Sequence, residues 1–166
     1  MIDSLLQSLQ DTSFASAIRE GDSLFPWIEC VHVLALTLVI GSIAIVDSRL
    51  LGIRSRDRAV LEIMADVLPI TWAAFVIALI SGGLMFASNA VTYAHNEVFQ
   101  VKMGLLTLAG LNMLGYHLVV GRDASSWQTA ATTPFKARVV GGASLAFWIA
   151  IAACGRWIGF TLNAPT

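Results

Sequence analysis

Four stretches of the chain are apolar over the length that a bilayer demands, and the polar residues interrupting them are few enough to name. They run from Pro26 to about Leu51, from Leu68 to Ser88, from about Val98 to Val120, and from Val139 to about Leu162. A hydrocarbon layer of roughly 30 Å takes about 20 helical residues. Backbone amides in lipid must be bonded within their own segment, and four open strands would leave edges unpaired, so each stretch predicts a helix. The prolines agree. Pro26 fits the first turn of the first span and Pro69 that of the second, while Pro134 falls in the last loop, where a missing amide costs least. Ahead of the spans, Leu5, Leu6, Leu9, Phe14, Ala17 and Ile18 fall mostly on one face at helical spacing. That pattern suits a helix lying flat in the membrane interface. The expected fold is all-α: a four-transmembrane-helix bundle over residues 25–166, with an N-terminal amphipathic periplasmic segment over 1–24.

Composition supports this and excludes a soluble domain. Of 166 residues, 57% are hydrophobic and only 13% charged, with a mean hydropathy of +0.75. A net charge of -1 argues against a nucleic-acid surface, but its distribution carries information. Arg49, Arg54, Arg56 and Arg58 follow the first span, and Arg122, Lys136 and Arg138 flank the loop before the fourth; only Arg19, Lys102 and Arg156 belong to the other side. By the positive-inside rule the first group is cytoplasmic, so both termini are expected in the periplasm of a bacterial inner membrane. Met1 to Ser4 carries Asp3 rather than a basic segment, so a cleaved signal peptide is not expected. Cys30 and Cys154 sit alone inside apolar runs, which disfavours a disulfide framework or a thiolate metal site.

Ionisable groups inside hydrocarbon are costly and persist with a partner or a task. The first span carries Glu29 and His32 near its outer end, and Asp47 and Arg49 near its inner end. The third carries Lys102, Asn112, Tyr116 and His117; the fourth carries Arg156 near its outer end, and His95 lies in the short outer connection from Asn89 to Glu97. Taken singly, each histidine also reads as packed or interfacial. Depth sorts them. His32 lies about 9 Å below the outer end of its helix and His117 about 30 Å along its own, so some 20 Å of membrane separates the two imidazoles. They cannot both ligate one haem iron. The sharpest constellation is a b-type haem near the outer face, held by His32 and His95, with propionates near Lys102 and Arg156. Met85 or Met103 in place of His95, or five-coordinate iron, are the alternatives.

Other chemistries fit less well. Glu29 and His32 have the Glu-x-x-His spacing of di-iron bundles, but the further inward carboxylates are missing. The methionines are too scattered in depth for a copper site. Asp47 and Arg49, two apart, do not face each other; neighbouring helices or lipid headgroups are their expected partners, as a cytoplasmic anchor, with coupling of Asp47 to His117 as the alternative. Gly82, Gly83, Gly104, Gly115 and the Gly155-x-x-x-Gly159 pair predict close helix approach, which a flat porphyrin would also need. Trp27, Trp127 and Trp157 suit the interface belts, whereas Trp72 and Trp148 suit the bundle or its lipid face.

The string Phe25-Pro26-Trp27-Ile28-Glu29 with His32, then Asp47-Ser48-Arg49-Leu50-Leu51-Gly52, Lys102-Met103, Ala109-Gly110-Leu111-Asn112 with His117, and Gly155-Arg156-Trp157-Ile158, resembles a group of uncharacterised bacterial four-helix membrane proteins. More distantly, a Trp five residues before the first-span His, with Lys then Tyr-His in the third span, is similar to HemJ-type protoporphyrinogen oxidases. The Gly-Arg end of the fourth span is similar to copper-resistance D-type membrane proteins. The HemJ resemblance implies b-type haem with His32 and His117 as the matching histidines. The functional expectation is a haem b protein of the electron-transfer class, with one or two haems per chain and a quinone or periplasmic redox partner. A HemJ-like oxidase of a lipid-phase reductant and a cofactor-free or copper-handling subunit are the other classes. Small-residue faces and little extramembrane mass suit a homo-oligomer.

Overall fold

The architecture comes from a computed structural model, which describes residues 1–53, 58–120, 127 and 133–161. Arg54, Arg56 and Arg122, three of the cationic residues assigned to the inner side, lie outside the described residues. The chain is all-helical there, in the order α1 (Ile2–Gln10), α2 (Ser13–Glu20), α3 (Leu24–Leu50), α4 (Val60–Ser88), α5 (Ala90–His95), α6 (Glu97–Gly115) continued by a π-helical turn over Tyr116–Val120, and α7 (Phe135–Thr161). Four helices are long and apolar enough to cross a membrane: α3, α4, Glu97–Leu118 and α7. Their outward surface is a continuous field of large apolar side chains, with Leu38, Leu79, Leu111 and Ile149 each more than half exposed. Water would not tolerate so much contiguous apolar area; lipid does.

The spans start and stop where local chemistry dictates, with one correction. Pro26 sits in the first turn of α3 as expected, but Pro69 lies inside α4, which begins at Val60. At 29 residues α4 is about 43 Å long, more than the hydrocarbon requires, so its first turns, carrying Glu62 and Asp66, extend beyond the apolar window that defined the second span. Gly52, at φ 73°, terminates α3: the Ile53 N–H donates to the Ser48 carbonyl at 3.0 Å, closing a Schellman turn that needs a left-handed residue. Asn96 starts α6 by accepting from the Phe99 N–H at 3.0 Å, and its amide donates to Thr161 Oγ1 at 2.9 Å, tying α6 to the end of α7. Trp127, expected in an interface belt, instead packs against the inner core of Leu50, Val60, Tyr116 and Ala137.

The packing order is α4, α3, α7, α6 around a square, and three of its four sides are packed seams. The Thr71 hydroxyl donates to Ser42 Oγ at 2.8 Å across α3 and α4. Asn112 donates to the Val140 carbonyl at 3.1 Å across α6 and α7. The α3–α7 seam is closest at Gly141, where an added Cβ would lie 2.9 Å from Leu50 Cβ. The fourth side, α4 to α6, has no continuous backbone seam. Side chains bridge it at its two ends: Phe86 stacks on Phe99 at 5.4 Å beside Tyr93 at the outer end, and the Tyr116 hydroxyl donates to Met64 Sδ at 3.3 Å at the inner end.

The N-terminal segment forms two helices where one was expected. Thr12 breaks them and caps α2, accepting from the Ala15 N–H at 3.3 Å. Ala15 and Ile18 are fully buried. Arg19 donates to the Gln10 carbonyl at 3.2 Å and to the Ser88 carbonyl at 3.0 Å, docking the segment on the outer end of α4. Leu5, Leu9 and Phe14 remain exposed on its apolar side.

Candidate functional site

Counting along each helix from the outer end brings one polar layer to a common depth. His32 is eight residues into α3, Lys102 five into α6, and Gly82 and Gly155 each six from the outer ends of α4 and α7. The layer is therefore centred about 8–12 Å below those ends.

His32 is its fixed point. The ring Nδ1 lies 3.0 Å from the Ala78 carbonyl and 3.0 Å from Ser81 Oγ. A carbonyl only accepts, so Nδ1 carries the proton and donates it. In the neutral ring Nε2 then holds the free lone pair. This is the arrangement found in metal-bound histidines, where a hydrogen bond at one nitrogen fixes the tautomer and orients the other toward the ligand. Gly82 makes room for the ring: an added Cβ would stand 2.9 Å from His32 Cε1. Ser81 and Gly82 therefore build one slot, the serine by hydrogen bonding and the glycine by its missing side chain.

Lys102 reaches the layer from α6, near enough for its charge to act on the imidazole. Its Nζ lies 3.7 Å from where a Gly155 Cβ would be, and Cys154 is its neighbour on α7. Among the described residues no carboxylate comes within 4.0 Å of it. A cation at this depth without an internal counter-ion is what an anionic ligand group would satisfy.

The other sequence candidates do not join this layer. His95, on α5, has Nδ1 2.9 Å from the Val91 carbonyl and Nε2 3.4 Å from Asp3 Oδ1 of α1, so both nitrogens are occupied by local and N-terminal contacts. Arg156 is exposed and lies over the Phe160 ring at 4.9 Å. As the neighbour of Gly155 it is turned about 100° away from the Lys102 side of α7. His117 lies in the π-helical turn, exposed, with Nδ1 2.9 Å from the Met113 carbonyl. Fifteen residues of rise separate it from Lys102, about 22 Å. Among the described residues no group of three His, Cys, Asp or Glu side chains could share a metal ion. A shallow, open concavity of about 320 Å³ on α3 is lined by Pro26, Glu29, Cys30, Val33 and Leu34, and neither His32 nor Lys102 lines it. Burial, with the Glu29 charge as the lesser cause, holds the Tyr93 phenol above its ordinary pKa, so it stays neutral in the aromatic cap.

As a haem site, the layer offers one well-prepared imidazole and one cation for a propionate. Iron bound there would take a single ligand from this chain. It does not offer the His32–His95 pair.

Fold and layer together define a multi-pass α-helical membrane protein with a polar site in one leaflet. The chain belongs to DUF6644, a family of unknown function whose model matches residues 10–161. No curated protein and no solved structure matches it.

Proposed function

We propose that the chain binds one haem b in its outer leaflet, which His32 would hold through Nε2, and serves membrane electron transfer. The observation that carries this reading is the His32 slot: a pinned Nδ1 proton, a free Nε2 and a glycine where any side chain would displace the ring. The group would supply one-electron chemistry at its iron. The chain's own residues have separate tasks. The Ala78 carbonyl and Ser81 hold the imidazole proton and make Nε2 more basic, Lys102 offsets a propionate charge, and the apolar wall excludes water. In this one-haem reading His117 has no iron to hold, and His95 would anchor α1 rather than bind iron. The resemblance to HemJ-type proteins, with His32 and His117 as the matching histidines, supports the same reading. The cation distribution supports a bacterial inner membrane location with both termini periplasmic; a quinone or periplasmic protein would be the redox partner that an electron-transfer role there requires.

The test is the absorption spectrum of detergent-purified protein from haem-replete cells. A Soret band, about one haem per chain by pyridine haemochrome and carbon monoxide binding by the reduced form are expected. His32→Ala should be colourless, and His95→Ala and His117→Ala should retain the outer haem. A colourless wild-type protein overturns the proposal. The resemblance to HemJ-type proteins favours a second reading, oxidation of a lipid-phase reductant such as a porphyrinogen. Restored growth of a mutant lacking that oxidase would select it.

A further inference from the structure

At the inner end of α3, some 15 residues from His32, a second polar group has no part in the haem reading. Asp47 is 4% exposed, and its Oδ2 is shielded from solvent with no hydrogen-bond partner among the described residues. We propose that Asp47 is a proton-binding site, held as a neutral carboxylic acid in the folded bundle at neutral pH.

The surroundings argue for this one by one. On α7, Asp47 faces the Ser144 hydroxyl, among the described residues the one side chain placed to donate to its carboxyl, and the bare Gly141 backbone, where an added Cβ would lie 3.3 Å from the Asp47 carbonyl oxygen. The cation on its own helix is directed elsewhere. Residues two apart on a helix point about 200° apart. Arg49, 1% exposed, sends Nε to the Arg58 carbonyl at 3.0 Å and Nη1 to Thr133 Oγ1 at 3.3 Å. The remaining described charges at this end are also turned away. Arg58 pairs with Asp66 of α4 at 2.7 Å, Lys136 and Arg138 of α7 are exposed, and the Tyr116 hydroxyl is engaged with Met64. An ionised carboxylate here would keep one oxygen without water, donor or cation. A bound proton removes that charge and turns one oxygen into a hydroxyl. A proton stored at the end of the bundle opposite to His32 would suit any reaction that moves charge through this membrane, and it stands whether or not haem binds.

The experiment is infrared spectroscopy of the full chain in lipid nanodiscs at pH 7, with and without carboxyl-¹³C aspartate. The expected result is a protonated-carboxyl C=O band that shifts with the label, disappears in Asp47→Asn, and persists in Asp66→Asn and His32→Ala. In Asp47→Glu the band should remain but lose its sensitivity to the aspartate label, which covers the case in which the asparagine variant fails to fold. Labelling of wild-type membranes with dicyclohexylcarbodiimide, which attacks protonated carboxyls in apolar surroundings, should place an adduct on Asp47 by peptide mass spectrometry. Absence of a label-sensitive acid band in the wild type, or its survival in Asp47→Asn, overturns the proposal.

Discussion

The two ends of α3 each hold ionisable side chains at membrane depth and treat them in opposite ways. At the outer end His32 is half-buried, its Nδ1 engaged by α4 and its Nε2 left with a lone pair. At the inner end Asp47 and Arg49 are enclosed by protein, pressed against the Gly141 backbone and the Thr133 connection. A half-open group that is oriented from behind can receive a ligand. A closed one can exchange little more than a proton. Both ends use glycine, but for different purposes: Gly82 admits a side chain, whereas Gly141 admits a helix.

The largest expected effect tests the closed end. Gly141→Ala puts a methyl 2.9 Å from Leu50 Cβ and 3.3 Å from a backbone oxygen, neither of which can swing aside. A loss of about 1–3 kcal/mol is expected in unfolding by denaturing detergent. Gly83→Ala, with nothing within 4 Å, should change stability by less than about 0.5 kcal/mol. Equal losses in the two variants would remove the distinction between glycines.

Gly82→Ala comes next. Its methyl meets the Cε1 edge of His32, a ring on a rotatable side chain, so the ring should move rather than the helix. A stability change of about 1 kcal/mol or less is expected, with most of the His32-dependent haem lost. Loss of fold comparable to Gly141→Ala would make the outer slot a packing site like the inner one.

Ser81→Ala removes one of two acceptors for the His32 proton and leaves the Ala78 carbonyl. About 0.5–1 kcal/mol of stability should be lost, with haem retained at a shifted midpoint potential in a redox titration. His95→Ala gives the smallest effect. Its pairing with Asp3 is between side chains 63% and 73% exposed, and such pairs contribute about 0–1 kcal/mol. Faster hydrogen exchange confined to α1, with an unchanged spectrum, is expected. Loss of haem would return His95 to the site.

Much of the fold was legible in the chain because hydrocarbon imposes a simple rule: about 20 apolar residues per crossing and no unpaired amide. All four spans followed from that rule, and the positions of Pro26 and Pro134 from the amide that proline lacks. It failed where helix extends past the apolar window, as at Pro69, and where a short motif divides a helix, as at Thr12. Part of the site was legible too. His32 and Lys102 stand out as ionisable residues in apolar runs, and Ser81-Gly82-Gly83 at matching depth was an available signal that these residues share a slot. Pairing them was not. Which histidine nitrogen is held, which of two neighbouring residues such as Gly155 and Arg156 faces inward, and which helix pairs pack backbone to backbone depend on helix rotation and packing order. These spans are apolar nearly all round, so their sequence marks no inward face, and only close packing between helices selects one.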